Sequence, residues 1–179
     1  MNVGGKLMEN KHLAIIVAVL LIAVGISGYY AYGIYQTNEM DKYMTQAFVY
    51  ADKSASQYYE AEVLANQTKY NETIDKIDSS IWNANQVYNL SQKAYQNAKG
   101  PYKDFLVVYM KRQKVWIELL DSWKSRIQYF QSGNLVKGAE LKKQEENRLN
   151  DYNQYDDELS SIIAQNPGME DYRNKNWNS

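Results

Sequence analysis

The chain has 179 residues, a formal net charge of -1, no cysteine and a single histidine, His12. A near-neutral balance excludes the clustered excess of Lys and Arg that polyanion binding needs, so nucleic acid is not an expected partner. Without thiols there are no disulfides, thiolate metal sites or cysteine nucleophiles, and one histidine cannot supply the Glu-x-x-His pairs of di-iron bundles.

The first element is the uncharged run LAIIVAVLLIAVGISGYYAYGIY, residues 13–35. As a helix it would be about 33 Å long, close to the thickness of a hydrocarbon core. Lys6 and Lys11 against Glu9 precede it, and Glu39 and Asp41 follow before Lys42. That asymmetry predicts a short cytoplasmic N-terminus, 1–12, and an exterior domain from residue 36. Tyr29, Tyr30, Tyr32 and Tyr35 stand where an outer aromatic belt belongs. Two alternatives compete: cleavage at Gly25-Ile26-Ser27, which would leave a secreted domain, and burial of the run as a core helix. The run stays uncharged past that cleavage site, which favours an uncleaved signal anchor. The expectation is a single-pass protein of the cell membrane, with the lipid bilayer as one partner. VGISG within the run superficially matches a nucleophile elbow, but its apolar setting rules that out.

Beyond the run the spacing is helical. Met40, Met44, Ala47, Ala51, Ala55, Tyr58, Glu62 and Ala65 recur at steps of three and four, ending near NQTKYNET. Tyr70, Ile74, Ile77, Ile81, Ala84, Tyr88, Ser91, Ala94 and Ala98 form a second stripe, stopped by Gly100-Pro101. A third carries Leu106, Tyr109, Gln113, Trp116, Leu120, Trp123, Ile127 and Phe130 up to Ser132-Gly133-Asn134. The fourth holds Leu135, Ala139, Lys142, Glu146, Leu149, Tyr152, Asp156, Leu159 and Ile163, before Asn166-Pro167-Gly168. Short links place sequential helices side by side and antiparallel. The fold class is therefore all-α: an N-terminal transmembrane helix, then an antiparallel bundle or set of coiled-coil hairpins with about four long helices over 36–165, and a polar tail, 166–179.

Charge agrees with that packing. The third segment is basic, with Lys111, Arg112, Lys114, Lys124 and Arg126 among its charges, while the flanking segments are acidic. A basic helix between acidic ones favours this neighbour order.

No motif carries catalysis. The densest acid cluster, Asp151, Asp156, Asp157 and Glu158, lacks the glycine turn of a calcium loop and reads as a solvated helix face, so no metal or cofactor is expected. Three sequons place possible glycan acceptors at Asn66, Asn71 and Asn89. Aromatic content is the unusual feature, with 17 Tyr and 4 Trp. Trp116 and Trp123 lie one heptad apart, and with Trp82 they mark a possible ligand groove between the second and third segments. The expected function is non-enzymatic: a membrane-anchored cell-envelope structural, adaptor or assembly component. Its partner would be another envelope or membrane protein, or a second copy of itself. The alternative is a ligand-binding sensor or receptor bundle that uses the tryptophan groove. An enzyme working with carboxylates alone is disfavoured, because no paired acid motif is present.

Overall fold

The computed structural model describes the backbone of residues 3–177, and side chains from Ser27 through Trp177 apart from residues 28 and 30. Five helices follow in order: α1 Val3–Asn66, α2 Tyr70–Asn97, α3 Pro101–Gln131, α4 Leu135–Gln165 and α5 Met169–Asn176. No strand occurs among the described residues. The chain divides into two compact units, Met1–Asn38 and Glu39–Ser179. The second is the helical bundle.

The breaks have local causes. Gly100, Gly133 and Gly168 adopt positive φ at the three turns that follow α2, α3 and α4, a region where a Cβ is penalised. Pro101 then opens α3, where its missing N–H costs nothing. Asn134 caps α4 by accepting from the Lys137 N–H.

Cross-helix contacts fix the order and direction of packing. Glu60 and Ser54 of α1 meet Lys76 and Ser80 of α2, so one number rises as the other falls. The same reversal joins Asn71 and Asp78 of α2 to Gln131 and Lys124 of α3. On α3 and α4, Arg112 meets Asp156, Glu118 meets Arg148, and Arg126 meets Glu145. Each sequential pair from α1 to α4 is therefore antiparallel, and the basic third helix holds acidic groups on both sides.

The core has two apolar sections. One gathers residues such as Met44, Val87, Phe105, Leu106 and Leu159; the other gathers Ala61, Ile77, Ala84, Leu120, Trp123 and Ile127. A polar contact joins α1 and α2, between the two sections in sequence on α1 and beside Ile77 and Ala84 of the second on α2. Ser54 and Ser80, both buried, bond to each other and to each other's backbone carbonyls. The Trp116 indole N–H donates to the Ser54 hydroxyl at 3.0 Å. Small hydroxyls let α1 and α2 approach closely while every polar atom in the contact keeps a partner.

Three differences from the sequence expectation stand out. First, among the described residues no helix is long and apolar enough to cross a membrane. The single-pass localisation is corrected on that finding. A span needs about 20 predominantly apolar residues, and no described helix meets that requirement. Residues 13–26, on which the rest of that expectation falls, lie outside the described side chains.

Second, the stretch read as a polar tail contains α5, which is docked. Met169 and Trp177 are buried in the first core section. Asp41 of α1 accepts from the Tyr172 hydroxyl at 2.7 Å and from the Trp177 indole at 2.8 Å.

Third, α4 packs through a different face. Leu135, Val136 and Leu149 are exposed, whereas Gly138 is buried and Glu145 and Arg148 face α3. A shift of one residue turns a helix by about 100°, so the stripe seeded on Leu135 pointed the first half of α4 outward.

Candidate functional site

A groove of about 570 Å³ opens where α1, α3 and α4 come together near the α1–α2 and α3–α4 turns. Its floor is the α3 stripe: Trp116, Leu120, Trp123, Ile127 and Phe130. One wall comes from the end of α1, with Tyr58, Glu62 and Ala65. The other comes from α4, with Lys142, Glu145, Glu146 and Leu149.

The opening has a sequence cause. In the first half of α4 the inward face offers Gly138, Glu145 and Arg148, which are small or charged, in place of large apolar side chains. Gly138 sits against Phe130 so closely that a Cβ there would lie 2.3 Å from the ring. This contact pins the turn, and further along α4 is held to α3 by ion pairs. Arg126 holds Glu145 with two contacts of 3.0 Å, and Arg148 donates to Ser122 at 2.8 Å. Long polar side chains bridge the helices without filling the space toward α1.

The aromatic floor is ordered. Tyr58 lies edge-on to Trp116, with centroids 5.1 Å apart, and tilted against Trp123 at 5.2 Å. Its hydroxyl donates to Glu62 at 2.7 Å. Burial, followed by the hydrogen bond and charge of Glu62, holds the Tyr58 phenol well above its ordinary range. Burial also raises the Glu145 carboxyl, against the opposing influence of Arg126. Arg148 and Lys142 oppose the rise as well, so burial and three nearby cations act on this carboxyl in opposite directions.

Of the three tryptophans expected to form one groove, the structure brings Trp116 and Trp123 together and leaves Trp82 apart. Trp82 is 56% exposed on another face of α2, edge-on to Tyr50. The groove lies between α1, α3 and α4, and not between the second and third segments. The reason is again rotational: Trp82 follows Ile81 by one residue and so lies off the α2 stripe. The walls went unrecognised because hydropathy spacing ignores residues such as Glu145 and Arg148. The available signal was Gly138, a glycine inside a helical pattern, which marks close approach.

Asn66, Asn71 and Asn89 are all exposed. Asn66 stands at the groove's end, and Asn71 accepts from Gln131 at 2.8 Å. Among the described residues, no three His, Cys, Asp or Glu side chains gather as a metal site would require. Asp156 of the acid cluster is engaged by Arg112 at 2.9 Å. No protein-family model matches the chain, and neither a curated protein nor a solved structure matches it.

Proposed function

We propose that this chain is a non-enzymatic helical-bundle adaptor or assembly component, which grips its partner through the groove between α1, α3 and α4. The observation that carries this reading is the ordered aromatic floor of Trp116, Trp123 and Phe130 beneath walls that do not close over it. Grooves lined by aromatic side chains with a few placed charges are where proteins of this size hold ligands. The ionisable groups support binding over chemistry: Glu145 is tied to Arg126, and Glu62 to a tyrosine that burial keeps protonated. A small-molecule receptor is the second reading. Its support is the Tyr58–Trp116–Trp123 cluster, whose ring faces suit a flat ligand.

Nile red, a neutral apolar dye, tests the groove itself. Its emission should rise and shift to the blue on the wild-type protein. The response should disappear in Ala65→Trp, where a large ring fills the groove from the α1 wall while the melting curve stays close to wild type. Equal dye response in the two proteins would place the binding elsewhere and end the reading.

A further inference from the structure

Resting on the groove's proposed binding role, we infer that its occupant is an amphipathic helix of a partner protein, with an apolar face and flanking Lys or Arg side chains. Length, backbone chemistry and charge converge on this choice.

The floor runs from Trp116 to Phe130, which is about 21 Å of helix. Its residues recur at steps of four and three, the spacing into which the apolar face of another helix fits. An elongated occupant follows, one that offers three or four side chains along a line.

Both walls and the floor are helices, whose backbone N–H and C=O groups are spent within themselves. An extended peptide lying there would find no backbone partner and would lose its own hydrogen bonds to water. A helix arrives with its backbone already satisfied, which is why grooves between helices take helices and sheet edges take strands. The rim points the same way. Leu149, on the α4 side of the groove, is 48% exposed, apolar surface that a helix seated in the channel would cover.

Charge sets the flanks. Glu145 and Arg126 neutralise each other. Glu62 on α1 and Glu146 on α4 line opposite walls, and neither lies within ion-pair distance of a cation among the described residues. Lys142 is the one lining cation without an ion pair among the described residues. An occupant with a basic residue on each flank meets both carboxylates, and an acidic one would meet two like charges against the one opposite charge of Lys142.

The test uses three synthetic peptides of about 14 residues without tryptophan. One has leucines at helical spacing with lysine flanks, the second replaces the lysines by glutamates, and the third scrambles the first. Binding is read from the protein's tryptophan emission and helix gain from circular dichroism. The lysine peptide should bind at least tenfold more tightly than either of the others and become helical, and Ala65→Trp should abolish it. The double variant Glu62→Gln, Glu146→Gln should bring the lysine and glutamate peptides close to parity. The Glu62→Gln change keeps an acceptor oxygen for the Tyr58 hydroxyl, so the fold is preserved. Equal binding of patterned and scrambled peptides, or of lysine and glutamate forms, overturns the inference. If Nile red binds and no peptide does, the helix is wrong and a small apolar ligand takes its place. If Nile red fails too, it is the groove reading itself that falls.

Discussion

Asp41 on α1 and Trp177, the residue that follows α5, are joined by a hydrogen bond of 2.8 Å, with the Tyr172 hydroxyl on the same carboxylate. One acid thereby holds a helix that would not be stable alone, since eight residues fall below the length at which an isolated helix persists. Asp41→Ala strips the acceptor from a buried indole and a phenol. It should cost about 2–3 kcal/mol in urea unfolding, with amide protection lost first in α5. Asp41→Asn, which keeps an acceptor oxygen, should lose less. Equal protection of α5 in wild type and Asp41→Ala would show that the clamp is incidental.

Trp177 is 1% exposed and packs against Phe48, Phe105 and Tyr102. Trp177→Ala should therefore destabilise by about 3–5 kcal/mol, the range for emptying a large aromatic site. Val136→Ala, at a residue 72% exposed, should stay within about 0.5 kcal/mol. Chemical denaturation of the two variants side by side decides whether the segment after Pro167 belongs to the fold.

Gly138 offers a test of sign. In an open helix Gly→Ala gains up to about 1 kcal/mol, and Gly33, where an added Cβ would meet no atom within 4 Å, should show that gain or no loss. Gly138→Ala must instead push the Phe130 ring, 2.3 Å away, at a cost of about 1–3 kcal/mol. Net destabilisation is expected at 138. The double variant Gly138→Ala, Phe130→Leu should recover much of the loss, and melting temperatures are sufficient to read it.

High pH should unfold the bundle through its tyrosines. Burial pushes the Tyr109 phenol from 10.0 up to about 12. Burial, and then a carboxylate partner, raises Tyr58 and Tyr172 as well. A folded value above the unfolded one means the unfolded chain releases protons first. This contribution to stability is complete below pH 10.0 and disappears as pH rises through about 12. Phenolate absorbance should appear together with loss of helix in a pH titration. Tyr109→Phe should flatten the decline; an unchanged slope would mean Tyr109 ionises in the folded protein.

Much of the bundle was legible from the chain. Gly100-Pro101 and Asn166-Pro167-Gly168 act locally through φ and a missing N–H, so the breaks around α3 and after α4 could be placed without knowing what surrounds them. The α3 stripe was equally plain. Leu106, Tyr109, Gln113, Leu120, Trp123 and Ile127 are all buried, because a central helix contacts neighbours on several sides and its apolar spacing must follow them. Its surplus of bases forecast the carboxylates that now face it from α2 and α4.

What the tertiary structure alone decided was rotation and company. α4 turned so that Gly138 and Glu145 face inward, and a spacing rule that scores apolar residues cannot see a glycine chosen for closeness or an acid chosen for its arginine. Trp82 shares a residue type with Trp116 and Trp123, yet one step off the stripe sends it to solvent. The docking of α5 depends on Asp41, which lies more than a hundred residues away in the chain. Helix formation is local and therefore written in neighbouring residues; which faces meet is set by contacts between distant ones, and the groove exists only where those contacts leave a gap.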